Sequence, residues 1–436
     1  MLFRTCTLIL VWMASLALAE EAKITTDKTA ETQPAQEVSA ADDGKWTCRP
    51  FALDAPTMTD DWFGAGPTLR DMGIGFNFIW NHYIMSALGG GLETGTKGSA
   101  TYDLLLTLDF EKMGLIKGGD MLVHARQQWG ASVNAYTGAN QQVNDDADGD
   151  RGIYVDQLWY RQHFLDKKIA LQVGYLDYQT IVDRNAFANS EDKQFMNAAL
   201  DNNPLIPTAS MAGLGAALYV KPCDWYTLIL GAGDAQRLPL YKPGFSTAFH
   251  DEAWFIGYME HDFHIKIPTE RGPLAGNYRI GLVYDPTPRT EYRRPWQSVD
   301  RRGDNYSLYL SFDQMLFREN EKDDQGLGLF FRFAYQDDKV YRFNQFYSGG
   351  FQYKGLIPTR DRDVFGFAVA ALVDSNEYRE NIDANSGNET IYEWYYAIGV
   401  TPWLVVTPDL QYIDNPGAND NVSHAIAGGV RFRITF

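Results

Sequence analysis

The chain of 436 residues sets 38 Lys and Arg against 56 Asp and Glu, a formal net charge of −18, and carries 25 Tyr, 25 Phe, 11 Trp and 39 Gly. Such an excess of acid argues against nucleic acid or an anionic lipid surface as a partner, because both would repel it. No apolar run beyond the first residues approaches the roughly 18 to 20 needed for a membrane helix, so an aromatic-rich chain of this size is either a soluble β-rich protein or a transmembrane β-barrel.

In chain order, the opening "MLFRTCTLILVWMASLALAEEAK" has a cationic start at Arg4, an apolar run through Leu16 and a small-residue site over residues 17–19. It reads as a secretory signal over 1–19, cleaved before Glu20. Residues 20–45 have no aromatic residue and no periodicity, which predicts a disordered periplasmic leader before a single domain over 46–436. Cys6 lies in the signal, leaving Cys48 and Cys223 in an oxidising compartment.

From Met72 the pattern becomes short segments of period 2 separated by Gly, Pro, Asn and Asp clusters. The segments fall at 73–84, 102–110, 121–130, 152–164, 169–178, 211–221, 226–234, 253–265, 277–285, 305–313, 326–336, 340–354, 363–374, 390–401, 404–413 and 425–436. The last is the clearest: Ile426, Val430, Phe432, Ile434 and Phe436 share one side, and Arg431, Arg433 and Thr435 share the other. A soluble sandwich also alternates, so the connections decide. "LDKK" at 165–168, "PCDW" at 222–225 and Pro402–Trp403 are tight, whereas 179–210, 235–252 and 414–424 are long. Short turns at one end and long loops at the other predict an all-β, antiparallel transmembrane barrel of about 16 strands, with short periplasmic turns and long extracellular loops. The even count puts both termini in the periplasm, although the external connection at Asp337 and Asp338 is short.

Several stretches resemble the carbohydrate-selective porins of the OprB type. "GGGLETGTKGSATYDLLLTLDFEKMGLIKGGDMLVHARQQWG" is similar to that family's opening hairpin, and "VDQLWYRQHFLDKKIALQVGYLDYQ" to the next. "GGFQYKGLIPTRDRDVFGFAVA" and "YEWYYAIGVTPWLVVTPDLQYIDNP" with the terminal strand carry the most specific likeness, which spans 72–436 and is weakest over 235–320. The resemblance implies a sixteen-stranded barrel of the bacterial outer membrane that passes sugars by diffusion, with no cofactor. It also implies that the strand ending at Phe436 signals to the barrel assembly machinery.

Parity assigns the inward side chains of such a barrel. It turns His124, Arg126, Arg161, Arg279, Arg332, Arg431 and Arg433 inward, with Glu393, Asp409 and Gln411 from the last hairpin. Opposed charges across a lumen offer donors and acceptors to sugar hydroxyls; the plainer reading is ordinary charges wetted by channel water. A constriction is expected from Asn185–Thr208, where Phe187, Phe195, Met196 and Leu200 recur at roughly helical spacing around Asn197. This stretch is expected to fold into the lumen instead of forming an external lid, with Trp159 or Phe195 as an aromatic platform for a sugar face.

The run "NDDADGD" at 144–150 spaces carboxylates like a calcium loop, but Arg151 and Gln157 stand where Gly and Glu belong, so a solvated external loop is the better reading and no metal is expected. Cys48 and Cys223 both fall on the periplasmic side, which makes a disulfide between them a candidate and two free thiols its alternative. The rival functions are a general or anion and organic-acid diffusion pore and, further off, an exported glycosidase using Asp109 and Glu111. A lone barrel and a homotrimer are both compatible with the pattern.

Overall fold

The computed structural model describes residues 48–206, 212–235, 255–294 and 301–436. The signal and leader expected over 1–45 lie outside the described residues. The first nine strands are β1 (Ile74–Gly90), β2 (Gly95–Asp109), β3 (Gly119–Gly130), β4 (Arg151–Phe164), β5 (Ile169–Asp177), β6 (Ala212–Cys223), β7 (Tyr226–Asp234), β8 (Phe255–Ile267) and β9 (Leu274–Asp285). A two-stranded ribbon follows, β10 (Arg289–Thr290) with β11 (Arg301–Arg302). The remainder are β12 (Asn305–Arg318), β13 (Gly326–Gln336), β14 (Phe343–Lys354), β15 (Val364–Asp374), β16 (Glu389–Gly399), β17 (Leu404–Asp414) and β18 (Ala425–Thr435).

All but the ribbon form one closed antiparallel barrel in sequence order, sealed by β18 against β1 with Ile84 opposite Val430 and His82 opposite Phe432. Closure leaves no unpaired sheet edge, which is the condition for strands to cross lipid. Among the described residues no helix is long and apolar enough to cross a membrane. Each of the sixteen barrel strands overlaps one of the sixteen predicted segments, and the longest connections share one end of the barrel, although the alternation is not strict: 91–94 and 337–342 at that end are shorter than 110–118, 319–325 and 355–363 at the other. At one end lie 165–168, 224–225, 268–273 and 400–403; at the other lie 131–150, 178–211, 235–254 and 286–304.

The alternation of side chains follows the pleat. On β1, Asn81 and Tyr83 are buried inside, while Phe78 and Trp80 face out and stack with Tyr102 of β2 at 6.2 Å. Phe436 joins this outer aromatic group at 4.9 Å from Phe78, and its N–H donates to the Phe78 carbonyl. Several strands break the strict period, β1 after Ala87 and β12 after Met315 among them, and one break bears on the lumen. In β4, His124 pairs with Gln157 and Ala125 with Val155, so Asp156 is an extra residue, a β-bulge.

Residues 48–72 brace the turn end beneath the closing strands. Met58 N–H donates to the Thr435 carbonyl at 2.8 Å, Trp403 Nε1 to the Ala52 carbonyl at 2.9 Å and Trp62 Nε1 to the Phe76 carbonyl at 3.1 Å. This bracing corrects the expected disulfide: among the described residues both cysteines are unpaired. Cys48 Sγ rests against the Thr59 carbonyl beside β18, whereas Cys223 ends β6. At least five inter-strand steps of about 4.8 Å separate the two along the wall, beyond the roughly 7 Å limit between Cα atoms for a bridge.

Candidate functional site

The connection after β5 does not stand outside the barrel. It begins with Tyr178, whose ring lies where a Cβ on Gly233 of β7 would sit, so only glycine admits this entry. From there the segment crosses the lumen and is pinned to the far wall. Glu260 of β8 accepts the Asp183 N–H at 2.7 Å. Arg332 of β13 donates to the carbonyls of Leu200, Asp183 and Ala188 and pairs with the Asp183 carboxylate at 3.2 Å. Glu393 of β16 accepts the N–H groups of Met196 and Asn197 at 2.5 and 3.0 Å. On β18, Arg431 donates to the carbonyls of Glu191 and Gln194, and Arg433 pairs with Asp192 at 2.8 Å. A loop without regular structure leaves many backbone groups unsatisfied, and here the charged wall satisfies them.

The apolar residues of this loop anchor it. Phe195 is fully buried, edge-on to Tyr395 at 5.0 Å and near Phe330. Phe187 fills the space a side chain at Gly328 would need. Asn197 caps the single turn Ala198–Asp201 through Oδ1 and donates to Gln411 Oε1 through Nδ2. Phe195 is therefore a packing anchor with no ring face open to a solute, a correction to its expected role as a platform.

Several of the residues that parity assigns inward are buried. Arg332, Arg431 and Glu393 are buried beneath the loop, and Arg279 is buried between Asp313 at 2.7 Å and Asp262 at 3.5 Å. Asp409 is buried beside Gln411, which donates to it at 3.0 Å. The expectation that these residues line the passage is corrected: the inturned loop or a neighbouring strand engages Arg279, Arg332, Arg431 and Glu393, and Gln411 of the same strand engages Asp409.

Arg126 keeps a face on open space. With His124 it lines a cavity of about 470 Å³ between the β3–β5 wall and the inturned loop. Arg126 pairs with Asp146 and, at 2.7 Å, with Glu191; His124 bridges Asp103 at 2.9 Å and Asp156 at 3.1 Å. The bulge turns Asp156 inward out of parity, which is why reading every second residue missed it.

A second inturned segment completes this rim. Asp146 accepts hydrogen bonds from Tyr83 at 2.5 Å and Thr101 at 2.8 Å, and its carbonyl accepts from Gln128. Glu389 of β16 accepts the Asn140 and Gln141 N–H groups. The run at 144–150 is thus not a solvated external loop. Asp146 is spent on the wall, while Asp145 and Asp148 line the cavity with Glu191, Asp192 and Asp201. Burial and mutual repulsion push the Asp145, Glu191 and Asp201 carboxyls above the usual range. Asp192 goes the other way: despite burial, the Arg433 guanidinium holds its carboxyl low. These rim acids escaped the sequence reading, and the available signal was the two longest acid-rich connections flanking one hairpin.

Nearer the turn end a second cavity, about 510 Å³, is lined by Trp159, Arg161, Asp120 and His163. Arg161 pairs with Asp120 at 2.9 Å and lies 5.2 Å from the Trp159 ring centroid. The Asp109 and Glu111 carboxylates, considered as an acid–base pair, bind the backbone of the β2–β3 turn: Asp109 accepts from Glu111 and Lys112, and Glu111 accepts from Gly118.

A closed barrel with polar cavities and a loop turned into its lumen has the architecture of a channel. The family model described as the carbohydrate-selective porin, OprB family, matches residues 98–436. The chain belongs to this family. Porin B of Pseudomonas aeruginosa is 23% identical over 88% of this chain and 92% of its own length. Porin AaxA of Chlamydia muridarum is 26% identical over 64% of this chain, which spans 54% of that protein. The high-pH structure of Pseudomonas putida OprB superposes with a TM-score of 0.80 at 20% identity, covering 89% of this chain and all of that one. The protein is accordingly an outer-membrane porin for carbohydrates, a channel.

Proposed function

We propose that this porin passes mono- and small oligosaccharides selectively through the gap between the β3–β5 wall and the two inturned loops. One observation carries the reading: a single cavity mixes fixed donors with fixed acceptors. Arg126, Arg151, Gln128 and Asn202 line it together with Asp145, Asp148, Glu191 and Asp192, held in place by pairs such as Arg126 with Glu191, Arg151 with Asp148 and Asn202 with Asp145. Each sugar hydroxyl both donates and accepts, so a polyol exchanges its water for protein partners on either side, whereas an anion meets a surplus of carboxylates and an apolar solute satisfies neither. That surplus counts against the anion and organic-acid alternative.

In this reading the end with long connections faces outside and the turn end faces the periplasm. The solute then leaves past Trp159 and Arg161, where the CH face of a sugar can stack on the indole face. The segment 1–19 acts as the export signal and 20–45 as the leader. The β18 strand ending at Phe436 is what the assembly machinery engages. The apolar outer wall serves equally for a lone barrel or a homotrimer, which crosslinking in native membranes separates.

The test is liposome swelling with a panel of sugars and size-matched amino acids and organic acids. Sugars are expected to enter several-fold faster. Equal rates for sugars and non-sugars would reduce the protein to a general diffusion pore.

A further inference from the structure

Three carboxylates at the rim have a geometry that the passage of a neutral solute does not require. Asp145, from the connection after β3, and Glu191 and Asp201, from the connection after β5, each bring one oxygen within 4.8 Å of the other two. Asp145 accepts a hydrogen bond from Asn202 Nδ2 at 2.9 Å, and Glu191 pairs with Arg126 at 2.7 Å. Asp201 differs. It is 5% exposed, and its Oδ1 is buried without a hydrogen-bond partner among the described residues.

A buried, unpartnered carboxylate oxygen beside two more carboxylates is costly unless a proton or a cation joins it. The charge balance favours the cation: Arg126 pairs with Glu191 but is shared with Asp146 and Asp103, Arg332 beside Asp201 is taken by loop carbonyls and Asp183, and Arg151 is paired with Asp148. The donors are hard oxygens on irregular loops, the flexible kind of site that suits Ca²⁺ better than the smaller and geometrically stricter Mg²⁺. The open cavity beside them admits water for the remaining coordination positions.

We propose that Asp145, Glu191 and Asp201 bind a divalent cation of the Ca²⁺ class, which ties the two inturned loops to each other and places positive charge beside the passage. The effect on flow rests on reading the cavity as the passage; the binding does not. Asp201 supplies the ligand with no other partner to lose, Asp145 supplies the second loop, and Glu191 is shared between the ion and Arg126.

The test is calorimetric titration of CaCl₂ into folded, EDTA-stripped porin in detergent, with the Asp201→Asn and Asp145→Asn/Asp201→Asn variants in parallel. Wild type is expected to bind one ion per chain. The variants, shown to be folded by heat-modifiable migration, are expected to bind at least tenfold more weakly. Calcium should also slow tryptic cleavage after Arg184 and Lys193 in wild type alone. The proposal is overturned by the absence of saturable binding at about 10 mM CaCl₂, above the roughly 0.1–1 mM constants of weak extracellular sites. Unchanged affinity in the folded variants overturns it equally, as does protease protection that follows pH and ignores calcium, the mark of a shared proton. Liposome swelling in EDTA and in calcium tests the transport reading separately: failure of sugar entry in both, with an intact binding isotherm, would sink that reading and leave the ion site standing.

Discussion

Arg332 shows how a charge can sit inside a pore and outside its passage. Its guanidinium is fully buried and binds three loop carbonyls and the Asp183 carboxylate. Truncation would strand that buried carboxylate, at a cost of about 3–5 kcal/mol in loop docking. Arg332→Ala is therefore expected to release the loop without preventing barrel formation, raising conductance and hastening tryptic cleavage after Arg184 and Lys193. Unchanged cleavage in a folded variant would show that the other anchors suffice. The rim acids make a different prediction. Asp145, Glu191 and Asp201 have carboxyls raised above the ordinary range, so they ionise as pH climbs through that elevated window. Their repulsion then appears, loop docking weakens and the rim gains negative charge; as pH falls they take up protons and docking tightens. Asp192 stays ionised throughout because its carboxyl is held low. In calcium-free planar bilayers under a KCl gradient, the preference for K⁺ should rise from pH 5 to pH 8. A flat reversal potential would remove these acids from the ion path. Parity could read the direction of strand residues such as Arg332 and Arg431, because the pleat fixes it. It could not read what covers them, since the Arg431 contacts join residues 240 and 237 apart in sequence.

At the scale of elements, the strands were legible and the loops were not. Alternation such as Tyr392, Trp394 and Tyr396 against Glu393 and Tyr395 is a local signal imposed by lipid on one face and polar groups on the other. The bulge at Asp156 is a single inserted residue and leaves no trace in such a pattern. The inturned course of the β5–β6 connection was signalled by its length and its apolar residues at helical spacing. The β3–β4 connection looked solvated because its carboxylates were visible and their partners, Tyr83, Thr101 and Arg126, were not adjacent in sequence. Replacing residues 184–202 by a short Gly-Ser linker removes the constriction while leaving every barrel strand. Conductance should increase several-fold and the preference for sugars in swelling assays should disappear. A deletion porin that still discriminates would move selectivity to the β3–β4 connection.

Across the whole molecule, covalent staples are absent among the described residues, and continuous pairing from β1 to β18 takes their place. Two reactive thiols per chain are expected in the unreduced, denatured porin, and Cys48→Ser with Cys223→Ser should leave heat-modifiable migration unaltered. One thiol pair lost to oxidation would contradict the separation of the two sites. The anchors of the inturned loop have a consequence in time. They are spread around the wall, on β3, β8, β13, β16, β17 and β18, so the full set stands together only in the closed barrel. The last of them, β18, is also the strand that seals the wall, so the loop has nothing complete to dock against until closure is finished. The wall is therefore expected to close before the loop finishes docking. In a refolding time course, protection of Arg184 and Lys193 from trypsin should lag behind the heat-modifiable band, and a cell making this porin would have a brief, permeable stage in every copy it builds.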